Sequence, residues 1–460
     1  MAPARLAADE HSDHLPAGRR PAAGRRRYLL LAAAALAVVV AIVVVAVGLV
    51  GRDSVEPAAA PPSTAPTATD EVSRGIARAQ ERLAANPEDY RTWAELGLAY
   101  VEQARITADP SYYPRAEGAL DTSLELNEAD NDVALTGMGA LSNARHEFSA
   151  AADWARRALE VNPAGATTYG VLTDALTQLG DYDGATAALQ QMLNLKPGIP
   201  SFTRASYNLE LHGNVDGARS ALQQALDASF DASDVAFCRT YLGLLAFSQG
   251  DLDGAAEEYA AGLAQVPGEP ALLLGQARVD AARGDEAAAI AGYAQVVAIR
   301  PLPDYLVEYG NYLRSLGRDD EADAQFALFE TAQQIFRANG VQDSLSVALV
   351  AADEGDADAA LAAAEREYAQ RQNIDAADAM GWALHVAGRD AEALPYAQQA
   401  TGIGGRNALF LYHRGIIEQA LGQDEQARIS LDTALDTNPH FSPLHAPLAE
   451  AALATLGGPL

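Results

Sequence analysis

The sequence predicts an all-α solenoid of about ten stacked helix pairs, carried behind one N-terminal transmembrane helix. Three observations predict it. The 34-residue phrase AGATTYGVLTDALTQLGDYDGATAALQQMLNLKP, residues 164–197, recurs with drift from about Glu88 to Pro439. Its apolar residues fall at helical spacing, and a period of this length marks a repeat architecture. Residues 28–50, YLLLAAAALAVVVAIVVVAVGLV, form a run of 23 residues without a charge.

Residues 1–27 are rich in Ala, Pro, Gly and Arg without periodicity, and are expected to be a disordered cytoplasmic tail. The apolar run spans about 35 Å at about 1.5 Å per residue, enough for a hydrocarbon core of about 30 Å. It exceeds the roughly 7–15 residues of a cleavable signal core, so an uncleaved anchor is expected. Arg25, Arg26 and Arg27 before it, and Asp53 and Glu56 after it, place the N-terminus in the cytoplasm and the repeats outside, at the cell membrane. Two alternatives stay open. Ala58, Ala59 and Ala60 offer a cleavage site, and Arg25–Leu29 loosely resembles a twin-arginine export signal. Residues 51–70, with Pro57, Pro61, Pro62 and Pro66, read as a linker, of which Ser54–Asp70 reaches about 50 Å at about 3.1 Å per residue. Residues 71–87 are expected to be a leading cap helix, with Val72, Ile76, Ala79 and Leu83 on one face.

Within the phrase, Tyr169, Leu172 and Leu176 share a face of the first helix. Gly180–Gly184 then breaks it, the glycines allowing unusual backbone angles and the aspartates capping the next helix. Ala185 lets the paired helices approach, Leu189 fills the space beside it, and Pro197 ends the unit. The small residue recurs as Ala116, Ala151, Ala185, Ala218, Ala255, Ala289, Ala322, Ala359, Ala393 and Ala427, in steps of 33 to 37. Closing prolines recur at Pro163, Pro197, Pro267, Pro301 and Pro439. Neither helix of a pair is long enough to stand alone, so pairs must stack to bury their apolar faces. Two units are irregular. The first carries an insertion, Thr107–Arg115, read either as a packed surface bulge or as a binding loop presenting Tyr112 and Tyr113. After Ala322 a long helix with Phe329 and Ile335 runs to Asn339–Gly340, and a kink in the superhelix is expected near 330–345.

This pattern resembles the tetratricopeptide-repeat family, whose unit carries W-x2-L-G-x2-Y…A-x3-F…P. Trp93, Leu96, Gly97 and Tyr100 match its first half. Ala255 with Tyr259, Ala289 with Tyr293 and Ala322 with Phe326 match its second. The resemblance implies a right-handed superhelix over residues 88–440, closed by a capping helix within 441–460 at Leu444–Leu456. Asp109–Leu120 and Asn438–Pro447 are similar to segments of bacterial extracytoplasmic members. The resemblance also implies that first helices line the concave groove. Asp174, Thr203, Tyr207, Arg278, Asn311, Arg314, Trp382, His385 and Tyr412 are the groove candidates. Arg278, Asn311 and Arg314 would together hold a carboxylate or a peptide C-terminus, with salt-bridging to neighbouring helices as the structural alternative.

Net charge is −30, and residues 1–27 carry +3, leaving about −33 on the body. That argues against nucleic acid as a ligand, since phosphate binding needs basic surface, and favours solubility or basic partners. Cys238 is the only cysteine, so no intrachain disulfide forms, and a buried thiol is expected. No catalytic motif is present. Asp181–Gly184 and Asp251–Gly254 mimic the start of a calcium loop but lack its later ligands, so helix capping explains them. His440 and His445 do not share metal-ligand spacing on one helix. No metal, cofactor or small-molecule substrate is expected. The expected function is a membrane-anchored, non-catalytic scaffold binding protein or peptide partners outside the cytoplasm. Arg82–Ala104 resembles the repeat region of cytochrome c maturation proteins, which implies the alternative of presenting a client to a membrane complex. An enzyme with fused repeats would need a non-repeat domain, and every long segment here is repeat, tail, span or linker.

Overall fold

The computed structural model describes residues 68–460. The expected tail, the 28–50 span and the greater part of the 51–70 linker lie outside the described residues. Among the described residues, no helix is long and apolar enough to cross a membrane, and no strand occurs. Helix α1, Ala68–Ala85, opens the array and takes in the last three residues assigned to the linker; Ala79 and Leu83 are its buried contacts. Ten helix pairs follow. They are α2 Tyr90–Thr107 with α3 Tyr113–Leu126, α4 Asp132–Ala144 with α5 Phe148–Val161, and α6 Ala166–Leu179 with α7 Tyr182–Leu195. Next come α8 Ile199–Leu211 with α9 Val215–Asp227, α10 Ala232–Ser248 with α11 Leu252–Gln265, and α12 Pro270–Ala282 with α13 Glu286–Ile299. The last are α14 Pro303–Ser315 with α15 Asp319–Ala338, α16 Leu345–Asp353 with α17 Ala357–Gln370, α18 Ile374–Val386 with α19 Asp390–Ala400, and α20 Ala408–Ala420 with α21 Asp424–Thr437. Helix α22, Ala446–Thr455, closes the array, two residues later than expected at its start.

A shared local code recurs along the array, with a side-chain cap at five of the ten second helices and none at those that follow Tyr112, Glu147, Arg318, Arg389 and Gln423. Asp181, Asn214, Asp251, Asp285 and Asp356 each accept a backbone N–H from three residues on, at 2.9–3.1 Å, satisfying a helix start that otherwise has unpaired donors. The calcium-loop look-alikes are therefore caps. Four residues past the cap stands the small contact residue, fully buried at Ala116, Ala151, Ala185, Ala218, Ala255, Ala289, Ala322, Ala393 and Ala427. The eighth pair departs from the sequence expectation: Ala359 is half-buried, and its neighbour Ala360 occupies the contact. Two adjacent alanines are indistinguishable by pattern, whereas the Asp356 cap fixes the register. One turn further on, a large side chain enters the space left by glycines of flanking helices. A Cβ on Gly97 or Gly137 would lie 2.5 Å from Leu120, and Gly243 and Gly275 flank the Tyr259 ring in the same way. Before each closing proline the chain turns extended at Asn162, Lys196, Val266, Arg300 and Asn438, as the proline ring requires.

The irregular units pack. A 3-10 turn, Pro110–Tyr112, bridges the insertion. Tyr113 is 8 % exposed and belongs to the first core, so it is no exposed contact aromatic; Tyr112 is half-buried, 5.9 Å from the Tyr100 ring. In α15, Phe329 is buried, but Ile335 is 45 % exposed and does not join the apolar face expected of it.

The solenoid then returns on itself. Hairpin turns of the second to fifth pairs meet the loops that follow the seventh to tenth pairs, at separations of 191 to 195 residues where side chains bridge them. Gln342 N donates to Arg145 O at 3.1 Å, and Gly405 N to Leu211 O at 2.9 Å. Arg371 and Asn373 both donate to the Gln178 side chain, and Ile374 N to the Tyr182 hydroxyl at 2.9 Å. Asn438 Nδ2 donates to Phe247 O at 2.9 Å. Arg145 O and Leu211 O stand at first-helix C-termini, where carbonyls lack an intrahelical partner, whereas Phe247 O also accepts from Gly250 N at 2.9 Å. At the first two, the seam thus uses bonds that the helices themselves leave open.

Candidate functional site

Closing the seam encloses a cavity of about 810 Å³ on the inner side of the turn, lined chiefly by first helices and by the loops after α19 and α21. That volume lies within the range of about 300–1,000 Å³ typical of ligand sites. Six carboxylates line it, Glu210, Asp304, Glu308, Asp353, Asp375 and Glu450, against two arginines, Arg278 and Arg406.

Three of the groove candidates line this cavity: Tyr207, Arg278 and Asn311. Arg278 is not available to a ligand carboxylate. Both ends of its fork donate to Glu308, at 2.6 and 2.5 Å, and that carboxylate also accepts from the Tyr293 hydroxyl at 3.1 Å. Burial works against the Arg278 charge, but Glu308 more than offsets it and holds the guanidinium protonated. Arg314 lies elsewhere, shared among Glu354, Asp323 and Asp319. The carboxylate-binding trio is thereby corrected: two of its members are neutralised within the protein. Asp174 is similarly held by Arg204 at 2.7 and 2.6 Å, and the Thr203 hydroxyl donates back to Ile199 O at 2.9 Å. The signal for these pairs was in the sequence. Asp174–Arg204, Arg278–Glu308 and Asp253–Arg283 each join residues 30 apart, one repeat less the offset between facing positions.

Trp382, His385 and Tyr412 come together in a packed cluster behind the cavity wall. Trp382 stacks on His413 at 4.1 Å and on His385 at 4.9 Å, and Tyr412 stacks on His445 at 5.1 Å. Trp382 and Tyr412 are buried. Trp382 Nε1 donates to Asp353 at 3.2 Å, and His445 Nε2 faces the same carboxylate at 3.4 Å. His385 Nδ1 lies 2.5 Å from Asp390. His413 Nδ1 lies 3.0 Å from Asp378, both side chains being buried. A carboxylate only accepts, so Nδ1 carries a proton and donates to it, leaving Nε2 as the ring's other nitrogen. That Nε2 is buried without a hydrogen-bond partner, although His413 lines the cavity. Among the described residues, no group of His, Cys, Asp and Glu is arranged to hold a metal ion.

Sequence reasoning missed Glu210 and Asp375. They stand on α8 and α18, one superhelical turn apart, and no local pattern links them. Neither has an ion pair: Glu210 accepts from the Ser248 hydroxyl at 3.4 Å, and Asp375 from Asn373 Nδ2 at 3.2 Å. Burial pushes the Glu210 carboxyl up, and burial aided by Asp378 pushes Asp375 up against the pull of Arg371. Each therefore binds its proton more readily folded than unfolded. Stability falls as pH rises from the ordinary carboxylate range, about 4, through the raised value, and is regained on acidification through that window. Glu210→Gln is expected to raise the melting temperature at neutral pH and to flatten this slope. Thermal melts of both proteins from pH 4 to 7 measure it, and an unchanged slope would show that Glu210 carries no such penalty.

No family model and no curated protein matches this sequence. Solved structures of repeat proteins do. A tetratricopeptide-repeat protein from Parabacteroides merdae is 17% identical, with 56% of this chain and 99% of that one covered and a TM-score of 0.35. A thermophilic tetratricopeptide-repeat protein of Thermus thermophilus is 22% identical over 41% of this chain and 98% of that one, TM-score 0.35. The Cut9–Hcn1 assembly is 12% identical over 85% and 96%, TM-score 0.39. With its ten helix pairs, its buried small residues four past each cap and its glycine-seated large side chains, the described chain is a helical-repeat array consistent with the tetratricopeptide-repeat family.

Proposed function

We propose that this chain is a membrane-tethered binding scaffold that takes a segment of a protein partner into the cavity enclosed by its superhelical turn, outside the cytoplasm, with no bond made or broken. The observation that carries the reading is the cavity itself, with six carboxylates against two arginines in its lining. The uncharged 28–50 run and the arginines before it support the tether and its direction.

Two measurements test it. Cys238 is fully buried, and burial pushes its thiol up, so the native background is silent to a membrane-impermeant maleimide. A cysteine replacing exposed Glu257 should be labelled in intact cells, and one replacing Ala22 only after the membrane is opened; the reverse pattern would overturn the topology. Photo-crosslinkers placed at Tyr207 and at Asn311 should capture the same partner. Capture from Tyr112 with none from the two cavity positions would sink the cavity reading.

A further inference from the structure

We infer that the occupant of the cavity presents an alkylammonium group, a lysine side chain in the first instance, to Glu210 and Asp375 beside the Tyr207 ring. The inference rests on the cavity being the binding site. Glu210 and Asp375 reach this place from successive superhelical turns, and neither is ion-paired among the described residues. Both carboxylates act on Tyr207, whose phenol burial and these charges push up. Tyr207 is 44 % exposed, yet that exposed surface faces the cavity.

The second observation is independent of the acids. His413 is 1 % exposed and lines the same cavity, with Nδ1 committed to Asp378 and Nε2 without a partner. A buried polar atom left unpaired costs free energy unless something pairs it. Asp378, which holds His413, is one helical turn from Asp375 on α18, so two residues of the lining are tied to neighbouring turns of one helix. Arg371 draws on Asp375 without pairing with it, and six carboxylates still face two arginines in the lining. An ammonium adds positive charge there, with three N–H donors and no acceptor. Acceptors arriving separately from two turns suit a compact rotating head. The planar guanidinium fork instead needs paired coplanar oxygens, as Arg278 finds at Glu308. Arg406 is exposed on the loop after α19.

The test uses the full chain in detergent and titrates four probes by calorimetry. They are a blocked five-residue peptide of glycine and alanine around a central lysine, the same peptide with acetyl-lysine, the same with arginine, and free 1,5-diaminopentane. The lysine peptide is expected to bind, and acetylation to weaken it by about tenfold or more, because a buried carboxylate then loses its charged partner. Glu210→Gln and Asp375→Asn are each expected to weaken it to a similar degree while leaving the fold intact or more heat-stable. That gain separates lost binding from lost structure. Equal binding of the lysine and acetyl-lysine peptides, tighter binding of the arginine peptide, or unchanged affinity in both variants would overturn the inference. Binding of diaminopentane without any peptide would uphold the ammonium site and overturn the peptide reading of the scaffold. Failure of all four probes would overturn both.

Discussion

Gly213→Ala is expected to open the superhelical turn, whereas Gly284→Ala is expected only to strain a hairpin. The two glycines occupy the same place in their repeats and the same left-handed backbone, φ +79° and +77°. Forcing an alanine into that conformation costs about 1–2 kcal/mol at either site. Their surroundings differ. A Cβ on Gly284 would meet nothing within 4 Å, but one on Gly213 would lie 2.5 Å from Gly404 O on the adjacent turn. That oxygen is backbone and cannot swing aside. The loop after α19 would have to retreat, with loss of the Gly405-to-Leu211 hydrogen bond beside it. Gly180→Ala, facing Gln372 O at 2.8 Å, is expected to behave like Gly213→Ala, and Gly317→Ala like Gly284→Ala. Small-angle scattering should show an enlarged radius of gyration for the first pair alone, and the lysine-peptide affinity should fall with it. If all four variants keep the wild-type radius, the seam does not set the pitch.

Replacing Tyr259 by alanine is expected to cost about 3–5 kcal/mol, the range for deleting a fully buried aromatic ring. Tyr259 is 1 % exposed and fills the gap between α10, α11 and α12 where Gly243 and Gly275 leave room. The ring therefore joins the fifth pair to the sixth. In a stacked array each unit is stabilised through its neighbours, so losing this joint weakens the array in its middle. Denaturant unfolding should shift to lower concentration and broaden or split as the halves uncouple. Tyr259→Phe is the control. The buried hydroxyl makes no well-aligned hydrogen bond and has only Arg278 nearby as a weak partner, so its removal should cost far less than removal of the ring. A Tyr259→Ala midpoint equal to that of Tyr259→Phe would show that the ring is not the joint described here.

The local code of this protein was legible in its sequence. A cap, a small residue four positions on, a large one after another turn and a closing proline are short-range requirements of helix ends and of helix-on-helix approach. They recur visibly and place nine of ten contact alanines; Ala359 was misassigned because its neighbour is chemically identical. What only the tertiary structure decided is how far the array rotates per repeat. The outcome is a small angle summed over several units, and no single residue encodes it. That sum brings Gly404 against Gly213 and Gly405 against Leu211, giving the glycine-rich loop after α19 its part in the seam. It also encloses Glu210, Asp375 and His413 in one cavity from three separate helices. Electrostatics divides along the same line. Pairs one repeat apart, such as Arg278 with Glu308, follow from the period, but the carboxylates left unpaired emerge only when charges a full turn apart are set side by side.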